Sequence, residues 1–169
     1  MKRRMALLLA LLLIGLLVAS TSGLGSNDSR KILEFDVMAP VIEPFTGATN
    51  AIRGVPGGGL PWELDAAEGE LRADGRLEVE VEGLVLARRA PVPEALRGTN
   101  PIASFKAIVS CLTVEGGAAA TVNISTTLAP ASRSGDAKIE DSVQLPSPCF
   151  APIVFVTSPG GMWFAVMGR

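Results

Sequence analysis

From Leu77 to Glu82 the chain alternates strictly: Leu77, Val79 and Val81 are apolar, and Glu78, Glu80 and Glu82 are acidic. A period of two places the first set on one face of a β-strand and the second on the other. The stretch from Trp62 supplies the other arm of a hairpin running to Leu86. The turn must carry the same parity onto that arm. A two-residue loop, Asp74-Gly75, would set Arg72 opposite Leu77 and Glu70 opposite Val79, which mixes the faces. A three-residue loop, Ala73-Asp74-Gly75, sets Leu71 opposite Leu77 and Glu70 opposite Glu78, and the faces agree. It also puts Gly75 where a type I turn followed by a bulge needs a left-handed residue. The pattern predicts the three-residue loop. It also predicts an outer face on which Glu70 meets Glu78 and Glu68 meets Glu80.

The rest of the chain reads as short strands divided by turns. Eighteen Gly and twelve Pro supply the breaks. Lys31 to Val37 is a first strand. Residues 40–61 read as a loop with room for one short strand, and Gly57-Gly58-Gly59 as its flexible part. Arg88 to Asn100 is a connection, with a helical turn at Pro93 to Arg97 stopped by Gly98. Ser104 to Val114 is apolar on both parities, as in a strand covered on both faces or one that twists between layers. Thr121 to Leu128 alternates, with Val122, Ile124 and Leu128 inward. Asp136 to Leu145 puts Ala137, Ile139, Val143 and Leu145 on one face, together with Asp141. Ile153 to Thr157 and Met162 to Val166 form a last hairpin. The expected fold is all-β over residues 31–169: a single-domain antiparallel β-sandwich of about seven to ten strands, with a small β-barrel as the alternative.

The first residues do not belong to this pattern. Lys2, Arg3 and Arg4 precede an apolar run from Met5 to Ala19, and Ser20, Thr21, Ser22 and Gly23 follow. This is the layout of a secretory signal-peptide helix over residues 1–22, with a flexible lead-in over 23–30. The run is shorter than the roughly 20 residues that span a bilayer, so tethering by an uncleaved segment is the alternative. Without residues 1–22 the chain has about 147 residues, a single-domain length. Its net charge moves from −2 to about −5, which argues against a nucleic-acid partner.

Composition removes much chemistry. There is no His and no Tyr, hence no Ser-His-Asp triad, imidazole metal ligand or phenolic acid. Two Cys cannot close a four-thiolate zinc site. No metal and no cofactor is expected. A secreted chain holds its Cys in an oxidising space, so Cys111 and Cys149 are expected to form a disulfide. Closing that loop contributes about 4 kcal/mol in the chain-entropy account. No Ser-x-x-Lys and no G-x-S-x-G motif is present. The remaining catalytic option is a pair of carboxylates, and an acid-rich chain brings some pair to a suitable distance by chance.

The candidate contact residues are few. Glu68, Glu70, Glu78 and Glu80 form an acidic hairpin face, read either as a cation site or a docking face for a basic partner, or as a solvated outer surface that discourages edge pairing. Asp141, on an inward parity, is a candidate for a perturbed carboxylate, against the reading of a strand end that reaches water. Trp62 follows a turn and is a candidate aromatic contact, against the core packing that a small domain asks of its aromatics. Asn123-Ile124-Ser125 is a glycosylation sequon for hosts that use it.

The strings Gly98-Thr99-Asn100-Pro101, Val109-Ser110-Cys111-Leu112, Leu145-Pro146-Ser147-Pro148-Cys149 and Ala151-Pro152-Ile153-Val154-Phe155-Val156 resemble those of uncharacterised secreted bacterial proteins of similar size. The resemblance covers most of residues 50–168. It implies no activity and no functional residue, and it agrees with pairing of the two Cys. The expected function is that of a secreted, non-catalytic binding or structural module of the extracellular or envelope space. Its partner would be an envelope glycan or a protein. A carboxylate-dependent hydrolase of extracellular polymers is the alternative, and a small-ligand carrier is a third reading if the fold is a hollow barrel.

Overall fold

A computed structural model describes residues 30–167. The expected signal segment, 1–22, and most of the lead-in lie outside them. The chain forms β1 (Lys31–Phe35), β2 (Met38–Pro40), β3 (Trp62–Glu63), β4 (Ala66–Arg72), β5 (Arg76–Glu82), β6 (Val85–Leu86), β7 (Ser104–Glu115), β8 (Ala118–Ser125), β9 (Ala129–Pro130), β10 (Ala137–Ser142), β11 (Phe150–Thr157) and β12 (Trp163–Met167). A single 3-10 turn, Glu94–Leu96, falls where Pro93 and Gly98 bracket it. One sheet has the order β1-β4-β5-β10, and the other β2-β12-β11-β7-β8, with β9 also on β7. All strand pairings are antiparallel. Neither sheet closes on itself, so the fold is a sandwich and the barrel alternative fails.

The hairpin of β4 and β5 has the register that parity demands. Leu71 faces Leu77, Glu70 faces Glu78 and Glu68 faces Glu80. Gly75 has φ +88°, and its N–H donates to the Arg72 carbonyl at 2.9 Å. Leu71, Leu77, Val79 and Val81 point inward and are fully buried. They meet the inward parity of the second sheet, which includes Phe105, Val109, Cys111, Val154 and Val156. The hairpin runs on toward Trp62 and Leu86, but β3 and β6 pair separately as a two-stranded ribbon. A link at Leu64-Asp65 and another at Gly83-Leu84 lets the ribbon bend away from the sheet.

The opposite face of the second sheet is also covered. Ile108, Ser110, Phe155 and Trp163 are buried there. Residues 41–61 provide the cover: they form the expected loop, with isolated bridges in place of a short strand, and Gly57 and Gly58 are packed in it, which corrects their reading as flexible. Trp163 donates its N–H to the Pro56 carbonyl, and Gly58 donates to the Trp163 carbonyl. Arg53 reaches over the sheet to the carbonyls of Ser110 and Ala151 at 3.0 and 2.9 Å. A Cβ on Gly57 would overlap the Phe45 carbonyl, and one on Gly58 would press on the Phe164 ring at 3.0 Å. These glycines permit close approach of backbone to backbone and to an aromatic face. They are packing residues.

The central strand β7 lies between β11 and β8 and is buried through most of its length, as its apolar parities imply. β8 has the expected alternation but begins earlier, at Ala118, and ends at Ser125. Leu128 lies beyond it and is 54% exposed, not inward. The cause is Thr126. Its hydroxyl accepts from the Ala107 N–H at 2.9 Å and its own N–H donates to the Ala107 carbonyl. The side chain takes the place of a backbone partner, and the ladder steps out of register there.

Gly75 carries two separate demands. Its left-handed φ is costly for any L residue, and a Cβ would overlap the Val143 carbonyl. Gly117, at φ +84° in open space, carries only the first. Gly117→Ala is therefore expected to cost about 1 kcal/mol. Gly75→Ala should cost roughly 3 kcal/mol or more, because backbone must also move. Denaturant unfolding of the two variants checks the difference; equal costs would remove the close approach from the account.

Candidate functional site

The outer face of the first sheet gathers most of the candidate residues. Glu34 stands opposite Glu70, Glu70 opposite Glu78, and Glu78 opposite Glu140, one from each of the four strands. Directly opposed like charges destabilise a ladder, and here three cations offset most of the charge of the four glutamates. Lys31 Nζ lies 2.6 Å from Glu34 and 3.1 Å from Glu70. Arg72 lies 2.7 Å from Glu70. Lys138 Nζ lies 2.8 Å from Glu78 and 2.7 Å from Glu140. The hydrogen bonds to Lys31, then Arg72, hold the Glu70 carboxyl below its ordinary value. The bonds to Glu34 and Glu70 raise the Lys31 pKa, and those to Glu140 and Glu78 raise that of Lys138.

The next row is different. Glu68 faces Glu80, and Glu80 faces Lys138, whose ammonium turns to Glu78 and Glu140 instead. Glu82 faces Ala66. Asp36, Glu68, Glu80 and Glu82 have no ion pair among the described residues. Asp36, Glu68 and Glu80 line an open groove of about 560 Å³ with Glu34, Glu70 and Glu78, and with Glu82 they line a smaller hollow of about 240 Å³. Gly69, inward on β4, contributes to the shape. Phe35 packs on its inner side where a side chain would be, which lets β1 close against β4 beneath the groove.

The other candidates lie elsewhere. Trp62 is 3% exposed, stacked on Phe164 with ring centroids 4.0 Å apart and edge-on to Phe105 at 6.3 Å. It is a core residue and offers no face to a ligand. Asp141 belongs to the same sheet as the glutamates but to the inward parity, opposite Leu77. Its carboxylate accepts from the Thr127 N–H at 2.7 Å, the Thr127 hydroxyl at 3.0 Å and the Ser142 N–H at 2.7 Å. It ties β10 to the segment leaving β8. Those bonds, the Thr127 N–H first, lower its pKa. Asp136 is similar: the Ser134 hydroxyl, then the Gly83 N–H, hold it down. The Asn123 amide donates to the Arg53 carbonyl at 3.0 Å.

Cys111 and Cys149 form the expected disulfide, with Cα atoms 5.0 Å apart. Cys111 is fully buried on β7, and the bond pins the proline-rich corner that leads into β11. The disulfide fits an oxidising, extracytoplasmic compartment. Among the described residues no helix is long and apolar enough to cross a membrane, and no three His, Cys, Asp or Glu side chains converge as a metal-binding set.

Sequence parity thus found Glu68, Glu70, Glu78 and Glu80 together, and it contained Glu82. It missed Glu34, Asp36 and Glu140. Each reaches the face through pairing of β1 or β10 with the hairpin, and no short-range pattern encodes which strand lies beside which. The chain matches no protein-family model, no curated protein and no solved structure.

All three perturbed carboxyls, Glu70, Asp136 and Asp141, are lowered. A lowered carboxyl stabilises the fold above its unfolded value of about 4 and loses that contribution as pH falls through the folded value. Thermal stability is expected to be flat from neutral pH down to about 5 and to fall below about 4. Asp141→Asn should lower the midpoint at pH 7, by about 1 kcal/mol in free energy, and should flatten the acid limb. An unchanged acid limb in that variant would show that Asp141 does not carry it.

Proposed function

We propose that this protein is a non-catalytic binding module of the extracytoplasmic space that docks a cationic partner, such as a lysine- or arginine-rich protein segment, on the outer face of its first sheet. The observation that carries this reading is the contrast between two adjacent rows. Every glutamate of one row is ion-paired to Lys31, Arg72 or Lys138. The next, with Asp36, Glu68, Glu80 and Glu82, has no ion pair among the described residues and borders an open groove. Ladder-opposed carboxylates without counter-charge raise the local negative potential, and a cation relieves it. The secretory-type N-terminus and the disulfide support the compartment. The same disulfide ties β7 to the corner before β11 within the second sheet, away from the sheet that carries the acidic face.

A hydrolase reading would ask for a carboxyl with a raised pKa to act as general acid. The perturbed carboxyls here are shifted the opposite way by hydrogen bonds that keep them ionised. The carrier reading needed a hollow barrel, and both sheets are open.

Titration with a short oligolysine peptide tests the proposal. Binding is expected at low salt, falling steeply as salt rises. Glu68→Gln with Glu80→Gln should weaken it about tenfold, because two facing charges are lost. Folding should be unaffected or improved, since the like-charge pair is removed. No binding at low salt, or equal binding by the double variant, would overturn the assignment of this face.

A further inference from the structure

We propose that the open end of the second sheet's outer face binds a small amphiphilic carboxylate, with its head on Arg53 and its apolar chain along Leu112, Val114 and Phe150. Residues 41–61 cover that face as far as Ser110. Beyond Ser110 the same parity of β7 continues through Leu112 and Val114, and Phe150 of β11 stands opposite Leu112. These three side chains are 39%, 51% and 57% exposed. Neither β8 nor β11 carries a charged residue. Arg53 stands where the cover ends and the patch begins.

An arginine is a costly residue for that place. It takes the first inner position of the two-residue turn between Ile52 and Val55, which exchange both backbone hydrogen bonds. Its φ is +50° and that of Gly54 is +80°, a backbone that Asn, Asp or Gly adopts at less cost. The side chain accounts for the choice. Nη1 alone donates to the carbonyls of Ser110 and Ala151, and the Asn123 amide fixes the Arg53 carbonyl. The parallel N–H bonds of Nε and Nη2 have no acceptor among the described residues, and the guanidinium has no ion pair among them. That fork matches the two oxygens of a carboxylate. Beside it the Ser110 hydroxyl is buried without a partner among the described residues, so polar groups at this border outnumber their partners.

One fork and three apolar side chains also select the size of the ligand. A stable protein interface draws on roughly 20–30 residues a side, far more than this patch supplies. Ser110 to Val114 spans about 13 Å of strand, the length of an extended chain of about ten carbons. A single anionic head followed by such a chain satisfies the arginine and covers the exposed side chains together.

Titration of the isotope-labelled chain with decanoate, kept below its micelle-forming concentration and followed by backbone amide chemical shifts, tests this. Saturable shifts are expected at Arg53 and along residues 110–114 and 149–151. Acetate lacks the chain and decanol lacks the charge, and each should bind about tenfold more weakly or worse. Arg53→Gln removes the fork and should weaken decanoate binding about tenfold. Phe150→Ser leaves the Arg53 bonds in place and should weaken it severalfold, with an unchanged circular dichroism spectrum. Absence of saturable shifts at these residues overturns the proposal, as does shift of another surface instead. Equal binding of decanol, or full affinity in the Phe150→Ser variant, overturns it as well.

Discussion

The register of one turn decides the rest of this molecule. In the β4–β5 hairpin a two-residue loop and a three-residue loop differ by one position on one arm, and one position exchanges the faces of a strand. The left-handed Gly75 selects the three-residue form. Leu71, Leu77, Val79 and Val81 then fall on one side, and the sandwich has an interior. The glutamates fall on the other side because no position remains for them. Core and acidic face are two results of the same constraint, and neither can be changed by a slip without losing both.

The legibility of the fold followed the range of the forces involved. Alternation and turn chemistry act within a few residues, and they gave the hairpin register, the two-sided burial of β7, the short turn before Gly98 and the closing hairpin. The disulfide was legible for another reason: a secretory-type leader implies an oxidising space, and two Cys leave one pairing. What parity could not show depends on distant neighbours. Residues 41–61 look like linker because Gly and Pro dominate them, yet they seal Trp163 and Phe155 from water by backbone bonds to β12. Gly57 and Gly58 are there for lack of a side chain, and composition does not separate that role from flexibility. Leu128 kept the right parity until Thr126 interrupted the ladder. Asp141 kept the inward parity and escaped the cost of burial by accepting three hydrogen bonds.

The candidate site divides along the same line. The hairpin's own glutamates were legible, and the contributions of β1 and β10 were not. Those neighbours change the chemistry of the face rather than merely enlarging it. Lys31 and Lys138 each bridge two glutamates on adjacent strands, so the cations are used up on the row through Glu70 and Glu78. A reading of the hairpin alone would treat Glu68–Glu80 and Glu70–Glu78 as equivalent pairs. Strand pairing gives one of them ion-pair partners and leaves the other without.

That asymmetry bears on why the fold tolerates opposed carboxylates at all. A like-charge pair on a strand costs a few tenths of a kcal/mol to about 1 kcal/mol, and a buried apolar residue of the kind that faces it inward returns more. Val79 and Val81, on the inner face between those glutamates, are fully buried against the second sheet. The hairpin is thus held chiefly by its inner face, and on its outer face Glu68 and Glu80 add no ion pair among the described residues. Selection for stability alone would place lysines there at no loss, as it does on the neighbouring strands. Under the proposed docking, the uncompensated acids take their counter-charge from outside the chain.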